Sequence, residues 1–114
     1  MAQPAELPIE TDVRTVKGLL DAKTPFVFVD CREQDEHNLV HIAGARLIPM
    51  SQMTARVDEL AGEKNSHIVV HCHHGGRSLR VANWLRQQGF SQAQSMAGGI
   101  HAWAEQIDPS LPKY

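Results

Sequence analysis

Ile68-Val69-Val70-His71-Cys72-His73-His74-Gly75-Gly76-Arg77-Ser78 is the stretch that decides the fold. Three strand-favouring apolar residues stand together without polar alternation. Such a run describes a strand covered on both faces, as in a parallel sheet. A turn with two glycines follows at once. A helix then runs over about 78–88, with Leu79, Val81, Ala82 and Leu85 turned inward and Gly89 just past its end.

Outward from this core, Phe26-Val27-Phe28-Val29 is a second continuous apolar run and a second buried strand. Ala45 to Ile48, ended by Pro49, and Ala93 to Met96 read as further strands, and Ile9-Glu10 as a very short one. Helices alternate with them. Thr11 is placed to cap one carrying Val13, Val16, Leu19 and Leu20 on one face, with Asp12 in its first turn. Glu33 to Leu39 is a short polar helix or turn. Ser51 is placed to cap a helix with Met53, Val57 and Leu60 at helical spacing, stopped by Gly62, and Gly98-Gly99 opens a short helix with Ile100 and Trp103. This order is that of an α/β domain with a mostly parallel sheet, whose ligands sit beyond the C-terminal ends of the strands. The loops after Val29 and Val70 both hold a cysteine. Three parts are expected: a loose lead-in over 1–8, the domain over 9–106, and a surface tail over 107–114.

At 114 residues and 42% apolar content the chain has the size of one domain. A net charge of -2, from 11 basic and 13 acidic side chains, argues against a nucleic-acid partner, which favours a basic face. Apolar runs are too short to span a membrane, so no membrane partner is expected. Met1 to Glu6 lacks the basic flank and apolar stretch of a secretion signal, and two cysteines make no disulfide framework. A cytoplasmic location with reduced thiols is the expectation.

Chemistry is concentrated at Cys72. A cysteine between a buried strand and a helix start lies close to unpaired N–H groups and to the positive end of the helix dipole. Gly75 and Gly76 let the backbone curl so that several amides converge, and Arg77 adds a permanent positive charge. Each feature favours a thiolate over a thiol. The product is a nucleophile seated in an anion-binding cup.

Cys72-His73-His74-Gly75-Gly76-Arg77-Ser78 resembles the C-x-x-G-x-R-S active loop of the rhodanese sulfurtransferases. Upstream, Asp30-Cys31-Arg32-Glu33, Glu36, His41-Ile42-Ala43-Gly44-Ala45 and Ile48-Pro49 resemble that family's D-x-R-E…E…G-H-I-x-G-A…I-P stretch. Downstream, Gly98-Gly99-Ile100 and Trp103 resemble its G-G-x-x-x-W ending. The resemblance covers about Ile9 to Trp103. It implies a single-domain rhodanese-like fold, a five-stranded mostly parallel sheet flanked by helices on both faces. It also implies transfer of a sulfane sulfur through a Cys72 persulfide. Donors would be thiosulfate or a persulfide, and acceptors cyanide, a small thiol or a protein thiolate, with no cofactor. Val40 departs from the family's usual glycine before His41, and Cys31 occupies a position often held by valine. Cys31 reads as a packing residue rather than as a resolving thiol.

Tyrosine phosphatases also run from His-Cys to an arginine, with five residues between the two. Here His73, His74, Gly75 and Gly76 make four. A tighter ring of amides suits one added sulfur better than a tetrahedral phosphate, which disfavours a phosphatase or arsenate reductase. Sulfite and thiolates also leave without a general acid.

The supporting residues follow. Arg77 braces the loop, with Ser78 after it at the helix start. His73 and His74 line the mouth, where protonated rings would bind an anionic donor. Asp30 and Arg32, two apart on an extended segment, form an ion pair or hydrogen-bond anchor beneath the loop. No metal site is expected, because neighbouring side chains diverge in an extended segment and no spaced partner motif accompanies them. His71 and His41 read as structural; His37, His67 and His101 carry no signal and read as surface. Trp84 and Trp103 read as packing residues. The tail from Ile107 to Tyr114 is similar to the ends of rhodanese modules, some of them attached to enzymes that adenylate sulfur carriers. That hints at a sulfur-carrier or other protein partner, and at an alternative role as a sulfur-delivery module.

Overall fold

A computed structural model of the chain describes residues 7–114, so the expected lead-in over 1–8 falls, as far as residue 6, outside the described residues. Five strands form one sheet: β1 (Glu10–Thr11), β2 (Val27–Asp30), β3 (Arg46–Leu47), β4 (Ile68–His71) and β5 (Ala93–Met96). Their order is β1-β5-β4-β2-β3, and every pairing is parallel. Helices α1 (Val13–Asp21), α2 (Gln34–Leu39), α3 (Met53–Arg56), α4 (Gly76–Gln87) and α5 (Gly99–Gln106) connect them. Among the described residues, no helix is long and apolar enough to cross a membrane.

The unalternating strands are explained by two cores. On one face Val29, Ile68, Val70 and Ala93 pack against Met53 of α3 and Val81 and Leu85 of α4. On the other, Phe28, Val69 and Met96 pack against Val13 and Val16 of α1 and Ile100 and Trp103 of α5. Successive residues of β4 thus feed opposite cores, and all four are buried.

Local details differ from the expected ones. Thr11 belongs to β1, and Asp12 caps α1 instead, its carboxylate accepting from the Thr15 amide at 2.7 Å. Helix α4 starts at Gly76, ahead of the expected 78, because Gly75 takes φ +114° and serves as its cap. The segment after Pro49 is not one helix. A single α turn, α3, lies between 3-10 turns over Met50–Gln52 and Val57–Glu63. Val57 and Gly62 are weak helix formers, and the burial of Met53 and Leu60 fixes the segment without regular winding.

The loops of interest diverge from neighbouring strands. From β2 the chain runs outward to β3, and from β4 it runs the other way to β5. Ligands collect beyond such a divergence in an α/β sheet.

Ile68 is fully buried in β4, whereas Leu39 of α2 is 57% exposed. Ile68→Ala is expected to lower unfolding free energy by about 2–5 kcal/mol. Leu39→Ala should change it by less than about 0.5 kcal/mol. Urea unfolding of the two variants measures the contrast.

Candidate active site

Asp30 and His71, the last residues of β2 and β4, are in register, so Cys31 and Cys72 follow each other side by side. The Cys31 amide donates to the His71 carbonyl at 2.9 Å, which carries the pairing one step past the strand ends. Cys31 lies on the face of Val29 and Cys72 on the face of Val70, which is the same face of the sheet. Both thiols are free and buried, and Cys31 is a fully buried member of the core on that face.

Three further groups surround Cys72 Sγ. The Gly75 amide donates to it at 3.1 Å and the Ser78 amide at 3.3 Å, and Ser78 Oγ lies 3.4 Å away. Ser78 Oγ also donates to the Gly75 carbonyl at 3.2 Å and lies 2.7 Å from Ser95 Oγ of β5. Two amides converge on the sulfur here, where the sequence suggested several. The neighbouring Cys31 thiol is the largest influence on the Cys72 pKa. Burial opposes ionisation, and Ser78 and Gly75 add to the lowering, so the thiol pKa is pushed down to about 4. The nearness of Cys72, together with burial, pushes Cys31 up and keeps it a thiol.

Of the two loop glycines, Gly75 is demanded by its positive φ, whereas a Cβ on Gly76 would meet nothing within 4 Å. A glycine outside the loop is as constrained. Gly99 has φ +60°, and a Cβ there would stand 2.5 Å from the Cys72 carbonyl oxygen and against that of His73. The Ile100 amide donates to the Cys72 carbonyl at 2.9 Å, and the His101 amide to the His73 carbonyl at 3.1 Å. The start of α5 thus holds the first half of the loop.

Arg77 forms a two-point ion pair with Glu36 of α2, at 2.6 and 2.8 Å, which holds the Glu36 carboxyl down at about 2. The guanidinium ties the loop to α2 and contributes its charge to Cys72 through space. Asp30 and Arg32 are paired and fully buried: Arg32 Nε and one terminal nitrogen meet the carboxylate at 2.9 and 2.7 Å. Burial works against the Asp30 charge, but Arg32 overcomes it and holds the carboxyl down at about 2. Arg32 also donates to the Val40 carbonyl at 2.6 Å, so Val40 closes the turn through its backbone.

Several histidines sit differently from their sequence reading. His37 Nδ1 is 2.9 Å from Asp30, and His67 Nε2 is 2.6 Å from Gln94 Oε1, so neither is an idle surface residue. His71 is fully buried; its Nδ1 faces the Cys72 carbonyl at 3.3 Å and its Nε2 has no hydrogen-bond partner among the described residues. His73 and His74 do not diverge, for their ring centres are 3.9 Å apart. Sequence reasoning also missed Tyr114. Its ring stacks on His73 at 3.8 Å, and its hydroxyl accepts from Arg32 at 2.9 Å and donates to Glu36 at 2.7 Å. The tail is anchored to the site rather than simply lying on the surface. An aromatic residue in an irregular proline-containing segment gives no periodic signal that could have found this contact.

Residues 12–106 match the rhodanese-like domain family. The chain belongs to that family. The rhodanese-like/PpiC domain-containing protein 12 of Arabidopsis thaliana is 35% identical over 88 residues, 75% of this chain and 29% of that protein. An adenylyltransferase and sulfurtransferase of Zea mays, MOCS3-2, is 33% identical over 107 residues, 89% of this chain and 22% of that protein. The chain thus spans less than a third of the length of these curated relatives. A rhodanese-like domain protein of Staphylococcus aureus superposes with a TM-score of 0.79 at 28% identity, covering 94% of this chain and 99% of that one. The rhodanese fold and the sulfurtransferase family are thereby shown.

Two outcomes follow from the geometry. Gly99→Ala should cost at least about 2 kcal/mol of stability from strain and collision. Gly76→Ala should cost less than about 1 kcal/mol, and thermal melts compare the two. For Cys72, the alkylation rate should hold steady as pH falls from alkaline towards neutral and drop only as pH passes through about 4. Removing the neighbouring thiol with Cys31→Val should move that midpoint upward by about one to two pH units.

Proposed function

We propose that this rhodanese-like domain transfers a sulfane sulfur from thiosulfate or a persulfide donor to a thiophilic acceptor through a persulfide on Cys72. The observation that carries the reading is the Cys72 sulfur itself, buried yet held ionised by the Cys31 thiol, two amides and Ser78. A thiolate that exists at neutral pH attacks the outer sulfur of thiosulfate. The sulfur–sulfur bond of the donor breaks, sulfite leaves with the bonding pair, and Cys72 carries one more sulfur. The acceptor, cyanide or a thiolate, then attacks that outer sulfur and returns Cys72 to a thiolate. Gly75 and Ser78 amides stabilise the charge at both stages without reorganising. Arg77, engaged with Glu36, braces the loop and supplies field, while Asp30 and Arg32 hold the turn beneath it. His73 and His74, when protonated, attract the anionic donor to the mouth. The four-residue spacing between Cys72 and Arg77 supports sulfur over phosphorus as the element handled.

A second reading is sulfur delivery to a protein partner, with little thiosulfate turnover. Its support is the adenylyltransferase and sulfurtransferase relative, of which this chain matches only a part. Intact-mass spectrometry tests both. Incubation with thiosulfate should add one sulfur to the wild type and none to Cys72→Ser, and cyanide should remove it. Loading from a protein persulfide but not from thiosulfate would select delivery. Equal sulfur transfer by wild type and Cys72→Ser would end both readings.

A further inference from the structure

Three imidazoles meet at the rim of the Cys72 loop. His73 and His74 come from the loop and His101 from the first turn of α5, and one ring nitrogen from each lies within 4.8 Å of the others. Two of these rings have an unexplained atom. His73 Nε2 and His101 Nδ1 are shielded from solvent and have no hydrogen-bond partner among the described residues. A buried polar nitrogen left unpaired costs about 1–3 kcal/mol, so two side by side require a reason.

Each of these two rings is already held. His101 Nε2 stands 3.4 Å from the Glu105 carboxylate, leaving Nδ1 as the free atom. The Tyr114 ring stacks flat on the His73 ring, with centres 3.8 Å apart. At His101, one nitrogen oriented by a carboxylate, with the other turned inward, is the arrangement that fixes histidine as a metal ligand. His74 is exposed, so its ring is free to swing towards the other two. Its centre is 3.9 Å from that of His73 and 4.9 Å from that of His101. Nitrogen ligands around tetrahedral zinc stand about 3.3 Å apart, so the three nitrogens, within 4.8 Å of one another, must draw together to share one ion.

We propose that His73, His74 and His101 form a three-imidazole site for a borderline divalent cation, of which zinc is the type, with the fourth position open to solvent or an anion. Imidazole donors select zinc, copper or nickel over calcium and magnesium. Such an ion would tie the Cys72 loop to α5 at the entrance. The site shares His73 and His74 with the mouth of the sulfur-transfer site and uses their neutral rather than protonated rings, and its test does not use that activity.

The test is titration of tag-free protein carrying Cys72→Ser, which removes the thiolate as a competing ligand. Zinc is followed by calorimetry and cobalt by its visible spectrum. One ion per chain is expected, with a cobalt spectrum of tetrahedral type. His101→Ala in the same background should weaken zinc binding at least about tenfold. His74→Ala, at the exposed ring, should do likewise and serves if His101→Ala does not fold. Magnesium should not compete. Absence of saturable one-to-one binding would overturn the site, as would equal affinity with and without the substituted histidine.

Discussion

Keeping one buried sulfur ionised is the constraint on which this structure depends. Cys72 is 1% exposed, and burial by itself favours the neutral thiol. The charge survives because donors are fixed around it before any substrate arrives. Each donor has its own structural source. The Gly75 amide needs a left-handed turn, and the Ser78 amide needs a helix that begins at Gly76. The nearness of the Cys31 thiol needs β2 and β4 to be neighbours in register. Loop, helix start and sheet order are thus requirements of one electrostatic problem.

A second layer of charge supports the first. Asp30 and Arg32 are an ion pair without solvent, and such a pair is tolerated only when its remaining donors and acceptors are satisfied. Here they are: Arg32 reaches the Val40 and Glu36 carbonyls and the Tyr114 hydroxyl, and Asp30 accepts from the Arg32 amide and faces His37. Glu36 joins this group to Arg77. The connected set links the turn after β2, helix α2, the active loop and the tail.

The architecture was legible because burial on both faces leaves a plain mark. Runs such as Val27 to Val29 and Ile68 to Val70 have no polar alternation, and the segments after them hold the two cysteines. The place of Cys72 between a buried strand and a helix start was legible for the same reason: it follows such a run and precedes glycines. What the sequence concealed depends on distance in space. Nothing in the spacing of Cys31 and Cys72, 41 residues apart, announces that they are neighbours; that requires knowing that β2 lies beside β4. Gly99 reads as an ordinary turn residue, and only the approach of α5 to the loop carbonyls makes it indispensable. Convergence of His73 with His101 and Tyr114 likewise arises from folding the tail over α5. The segment after Pro49 was misjudged because helical spacing of Met53, Val57 and Leu60 records which residues face inward, not how the backbone winds between them.

The outermost strands, β1 and β3, are each two residues long, whereas the three between them have four. Free sheet margins are templates for intermolecular strand addition, and very short ones give little purchase. This molecule is therefore poorly suited to associate by extending its sheet. Edges this short guard against aggregation as well.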